Sequence, residues 1–175
     1  MLKKIGIGIL LVLPVIVGLA FTKPDSFSLE RSTTINAPAD SIFPHLNDFH
    51  NWGAWSPWEK LDPAMARTHS GAASGPGAVY EWTGNSDVGS GRMEITDATP
   101  PSTVTIKLDF LSPMEAHNTT LFTLEPAGAA TKVTWKMSGP NNFMSKVMTV
   151  FMSMDSLVGG DFEAGLANLK AVSEQ

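Results

Sequence analysis

Apolar residues recur at steps of three and four near the end of the chain. They are Phe143, Val147, Val150, Phe151, Met154, Leu157, Val158, Phe162, Leu166, Leu169 and Val172. That is the period of one helical face. At about 1.5 Å per residue, one helix from Phe143 to Val172 would run roughly 45 Å. Such a helix needs a large apolar surface along its stripe. The chain from Ser28 to Met137 supplies one, because its pattern has period two. Leu29, Thr33 and Ile35 oppose Ser28, Glu30, Ser32 and Thr34, and Phe27 opens the apolar side. Tyr80 pairs with Trp82 and Met93 with Ile95, and Val104, Ile106, Leu108 and Phe110 alternate with Thr105, Lys107 and Asp109. Asn118 to Glu125 is a further strand, and Val133, Trp135 and Met137 form the face of the last one. Ser70 to Gly77 reads as a loop. Closely spaced strands with short turns predict antiparallel pairing with one wet face. The fold class is α+β, a curved antiparallel sheet wrapped around a long C-terminal helix.

Between the first strand and the rest, Asn36 to Asp40 stops the strand. A helix starts there, with Ile42, Phe43 and Leu46 inward and Pro44 interrupting it or marking its first turn. Then Trp52, Trp55 and Trp58, three of the five tryptophans, recur at every third position. Two readings stand: they plug one end of the core, or they line the mouth of an apolar cavity. Gly159 and Gly160 interrupt the long helix. They are expected at a tight helix–sheet contact or a bend, where Gly160→Leu would overpack; the alternatives are a solvent-facing pair, or a break between two helices with Asp161 capping the second.

The N-terminus differs from everything after it. Lys3 and Lys4 precede an uncharged run, residues 5–21, dominated by Ile, Leu and Val. About 17–25 such residues span a bilayer. The alternative is a cleaved signal peptide, for which Gly18-Leu19-Ala20 is a passable small-x-small site. Either way the lysines stay cytoplasmic, and the domain lies outside the cell membrane, in the periplasm. Residues 1–24 are then anchor (or signal peptide) and linker, and residues 25–175 one domain. After signal cleavage the protein would be secreted instead of single-pass.

Charge and composition narrow the partners. The chain has 12 Lys and Arg against 17 Asp and Glu. Three of those lysines precede Asp25, so the body holds 9 basic against 17 acidic residues, a net of −8. Such a body is repelled by nucleic acid and by anionic head groups. With no cysteine there is no disulfide, thiolate nucleophile or cysteine metal site. The histidines, His45, His50, His69 and His117, lack the i, i+4 pairing of a helical metal site. No nucleophile elbow, Walker loop or dinucleotide fingerprint occurs. Neither a metal, a cofactor nor a catalytic residue is therefore expected.

Several segments together resemble a known family. They are Glu30-Arg31-Ser32, Ile35-Asn36-Ala37-Pro38, Asp48-Phe49, Trp52 to Trp58, Thr131 to Trp135 with Gly139, Gly160 to Glu163, Gly165-Leu166 and Leu169-Lys170. The chain after about Phe27 resembles the START-like polyketide cyclase/dehydrase and lipid-transport (SRPBCC) proteins, in particular the membrane-anchored bacterial kind. That resemblance implies a helix-grip fold with a deep apolar cavity between sheet and helix, and no shared catalytic motif. Candidate cavity residues are Trp52, Trp55, Trp58, Tyr80, Trp82, Met93, Phe110, Trp135, Met148, Phe151 and Met152. The methionines suit either an adaptable pocket or a plain core. Arg31 falls on the apolar side of its strand, as a rim arginine paired with a carboxylate or as a contact for a polar ligand head. The expected function is a membrane-tethered module that binds or transports a lipophilic small molecule or lipid. The alternatives are a cyclase or hydratase acting on a polyketide-like substrate, and an interaction domain with a filled core.

Overall fold

The computed structural model describes residues 14–175. Residues 14–21 are helical, and strand β1 (Ser26–Ile35) follows a short linker. Helix α1 (Ala39–Asn47) buries Ile42, Phe43 and Leu46, one face at steps of one, three and four, and carries Pro44 inside it. Asp48 then starts a 3-10 turn, Phe49–Ala54, by accepting the His50 backbone N–H at 2.9 Å. A single helical turn, α2 (Trp58–Leu61), leads into the strands. These are β2 (Ala66–Gly71), β3 (Ala78–Thr83), β4 (Ser90–Thr99), β5 (Thr103–Ser112), β6 (Ala116–Ala127) and β7 (Ala130–Pro140). They form one antiparallel sheet in the order β1-β7-β6-β5-β4-β3-β2. Consecutive strands pair as a meander, and β1 closes on β7, so α1 and the tryptophan run lie between the two edge strands in sequence.

Two expectations need correction. β2 begins at Ala66, where no strand was expected, and it takes in Ser70 and Gly71 of the supposed loop. All six of its residues are exposed, so it has no buried face to impose an alternating pattern. As an edge strand its backbone pairs with β3 alone.

The C-terminal helix is also not continuous. Helix α3 (Phe143–Phe151) ends where Met152 turns extended, and α4 (Met154–Ser173) starts afresh. The Ser153 hydroxyl caps α4 by accepting the Ser156 backbone N–H at 3.0 Å. A serine between two apolar stripes of matching period is what hides the break from a periodicity reading.

The two helices differ in packing. α4 buries Gly159, Phe162, Gly165, Leu166 and Leu169 against the sheet. It follows β1 along its length: Lys170 Nζ donates to the Thr34 carbonyl at 2.6 Å, and the Glu174 carboxylate accepts the Asn36 N–H at 2.6 Å. α3 buries no residue at all. It is tied down at its start by Asn142, whose side chain accepts the Ser145 N–H at 2.8 Å, and by an ion pair between Lys146 and Asp25.

Of the expected membrane run, residues 5–13 lie outside the described residues. Among the described residues, no helix is long and apolar enough to cross a membrane.

Candidate functional site

The strand register sorts the inward face of the sheet into rows. One row runs Arg31, Trp135, Phe122, Val104, and the next Leu29, Met137, Thr120, Ile106, Ile95. A third runs through Asn118, Leu108, Met93 and Tyr80. Beyond it, Phe110, Gly91 and Trp82 form a fourth.

An aromatic cluster closes the first row against α4. Trp135 stacks on Phe162 at 4.1 Å and 16°, and Trp55 meets the edges of Trp135 and Phe122 at 5.6 and 6.0 Å. Trp52 lies 4.8 Å from Trp55, and Trp58 stands edge-on to Trp135 at 5.8 Å. Edge-to-face pairs at these separations are the favourable arrangement for aromatic quadrupoles. Trp55 Nε1 donates to the His45 carbonyl at 2.9 Å and Trp52 Nε1 to the Leu46 carbonyl at 3.3 Å, whereas the buried Trp135 Nε1 has no hydrogen-bond partner. Trp52, Trp55 and Trp135 thus sit in a packed plug, with Trp58 at its partly buried edge.

The far rows are less tightly sealed. Phe122, Val104, Ile106 and Ile95 are fully buried, whereas Leu108, Met93 and Trp82 keep 8–9% of their surface. Phe27 and Phe110 are only partly buried. α4 makes its main contacts with β1, α1 and the 3-10 turn and not with these rows. Of the expected cavity residues, the structure brings Tyr80, Trp82, Met93 and Phe110 together on this wall. It puts Met148 half-buried on α3, and Phe151 and Met152 exposed at its end.

Asn118 and Thr120 were missed by the sequence reading. Both are buried, and both point inward from β6. The signal was present: they continue the two-residue step of Phe122 and Leu124. Asn118 Oδ1 lacks a hydrogen-bond partner, an orphaned acceptor in an apolar wall.

Tyr80 has a polar network of its own. Its hydroxyl donates to Glu59 Oε1 at 2.5 Å, and Arg67 Nε donates to Glu59 Oε2 at 2.6 Å. Burial first, and then the Glu59 carboxylate, push the phenol well above its ordinary pKa. It is a protonated donor at any physiological pH. His69 lies against the Tyr80 ring at 5.1 Å and stacks on His50 at 4.3 Å, but both imidazoles are exposed.

Arg31 takes the rim position. It pairs with Asp155 and donates through Nε to Glu163 Oε1 at 2.8 Å, both from α4. These hydrogen bonds, Glu163 first, raise its pKa further, so it stays charged.

Two cavities open elsewhere. One of about 240 Å³ lies between the 3-10 turn and the β2–β3 hairpin, lined by Phe49, His50, His69 and Ala78. The other, about 540 Å³, lies at the β1–β7–β6 end, lined by Ser26, Phe27, His117, Lys136 and Ser138. Among the described residues no group of three His, Cys, Asp or Glu side chains is placed to hold a metal ion.

A seven-stranded antiparallel sheet gripping one C-terminal helix is the helix-grip architecture, an α+β class of proteins built around an inward concave face. The family described as polyketide cyclase / dehydrase and lipid transport matches residues 26–174, and the chain belongs to it. No curated protein matches the sequence. Solved structures share the fold at low identity. The solution structure of the Aha1 dimer from Colwellia psychrerythraea has a TM-score of 0.61 at 16% identity, covering 85% of this chain and 96% of that one. Ginseng major latex-like protein 151 from Panax ginseng gives 0.58 at 14%, covering 87% and 100%. The di-domain ARO/CYC BexL of the BE-7585A biosynthetic pathway gives 0.61 at 15%, covering 91% of this chain and 53% of that one.

Proposed function

We propose that the protein is a membrane-tethered module that binds a lipophilic small molecule or lipid on the concave face of its sheet. The observation that carries this is the division of the concave face. One part of it is filled by Trp55, Phe122, Trp135 and Phe162, while Tyr80, Trp82, Met93, Leu108 and Phe110 form an apolar wall away from the main contacts of α4. An apolar wall suits an apolar occupant, at about 25 cal/mol per Å² removed from water. The uncharged residues 5–21 and the two lysines before them support the tether and the extracytoplasmic position of the domain.

Trp82 is the natural reporter, because it lies on this wall with its Nε1 fixed on the Val88 carbonyl at 3.0 Å. The full chain in lipid nanodiscs, titrated with fatty acids, isoprenoids and aromatic polyketides, should change its tryptophan emission saturably. Trp82→Phe should remove most of that change. A flat titration with every ligand class contradicts the binding function.

A second reading has one specific observation behind it. The Tyr80 hydroxyl and the Glu59 carboxylate form a hydrogen-bonded pair beside this wall, and a carbonyl substrate that displaced Glu59 as the acceptor would take the Tyr80 proton as a hydrogen bond. This supports a cyclase- or hydratase-type activity on a polyketide-like substrate. Turnover that Tyr80→Phe abolishes, with ligand binding kept, is the result that selects it.

A further inference from the structure

Among the described residues, eight of the twelve exposed large hydrophobics lie on α3, its C-cap or the N-terminal helix. Phe143 and Met144 at the start of α3, and Phe151 and Met152 at its end, all lie in the open, Phe151 with 67% of its surface exposed. A monomer in water does not usually leave a run of large side chains bare on one short element. The same surface continues onto the N-terminal segment, where the ring of Phe21, 72% exposed, contacts Phe143 at 5.8 Å. Residues 14–21 carry no charge, and Val15, Val17 and Leu19 are exposed around their helix. An apolar helix without a polar face belongs in an apolar medium.

The geometry points to a bilayer-docking surface: α3 with Phe21 lies in the interface of the membrane that holds residues 5–21, and the apolar wall of the sheet opens onto that lipid. This deepens the tethered-module reading and rests on it for the origin of the apolar run. Charge selects the kind of surface. The only charged residue of α3 is Lys146, and it is already paired with Asp25. A neutral patch on a body of net charge −8 fits uncharged head groups and is repelled by anionic ones. Amphipathic helices of this kind bury an apolar face about 5–10 Å into the head-group and acyl boundary. The ligand that follows is a membrane-resident lipophile, taken from the bilayer without crossing water.

The absence of cysteine makes a direct test available. Met144→Cys, Phe151→Cys, Val15→Cys and Glu125→Cys variants of the full chain each carry one fluorescent label. Each is reconstituted into phosphatidylcholine vesicles containing lipid with a nitroxide at a shallow acyl position. All four positions are exposed, so the labels leave the packed core intact. Emission at positions 144 and 151 should fall at least twofold, and at 125, at the far end of β6, it should not change. Position 15 reports the tether separately. Quenching at 15 without quenching at 144 and 151 overturns the docking surface and leaves the tether standing. Quenching at 144 and 151 without 15 keeps the surface and removes the tether. No quenching at any position overturns both. Labels at 144 and 151 that are shielded from iodide but unquenched by lipid mean that a second copy covers the helix, which also overturns the proposal.

Discussion

Trp135 shows how one residue fixes the position of a helix. Its ring is sandwiched in the cluster and stacked on Phe162, and a Cβ added at Gly165 would stand 2.8 Å from Trp135 Cζ3 and 3.2 Å from Pro57. The ring cannot retreat, because Trp55, Trp58 and Phe122 hold it from other sides. Gly165→Ala should therefore destabilise the domain by about 1–3 kcal/mol in chemical denaturation. The glycine pair expected at the tight contact behaves otherwise. Gly159 faces Arg31, whose guanidinium would lie 2.8 Å from an added Cβ, but Gly160 meets nothing within 4 Å. The overpacking expected of Gly160→Leu does not arise there. Gly160→Ala should instead stabilise by up to about 1 kcal/mol through helix propensity. His117 carries a pH signature. Its Nδ1 lies 2.7 Å from Asp109, and that hydrogen bond raises its pKa above the ordinary value. A raised folded-state pKa contributes stability below the unfolded value of about 6.5 and loses it as pH rises through the folded value. Denaturation midpoints should fall across that window, and His117→Gln should flatten this part of the profile.

At the scale of elements, α3 is the least anchored part of the domain. With no residue buried, it depends on its Asn142 cap and the Lys146–Asp25 pair. Asn142→Ala should cost the helix about 1 kcal/mol. Amide exchange over 143–151 should then accelerate roughly fivefold, with the global transition unmoved. Elements with a buried face were legible from the sequence. α1, β3, β5 and β7 each carry an apolar period matched to the core. β2 was not, because an exposed edge strand has no face to bury. The break at Ser153 was not, because the apolar steps on both sides of it keep a helical period. Such periodicity reports which face is wet, and it is silent on where a cap interrupts the backbone.

For the whole molecule, the sheet wrapped on a C-terminal helix was readable, and so was the polyketide cyclase/dehydrase and lipid-transport family, which matches residues 26–174. The site was readable only in part. The rows that put Tyr80, Met93 and Leu108 beside Asn118 depend on register across β3 to β6, which no single strand encodes. Asn118 and Thr120 were passed over because polar residues in a strand read as its wet face. The tryptophans at every third position could not be divided into plug and wall without knowing which row each one meets. Native mass spectrometry of the full chain purified in detergent tests lipophile binding most directly. One small apolar molecule per chain should be retained, and it should be lost in Leu108→Trp, which adds bulk beside Met93 and Asn118 on the wall. A chain at its bare mass, or an adduct that Leu108→Trp leaves unchanged, would contradict a ligand held at this site.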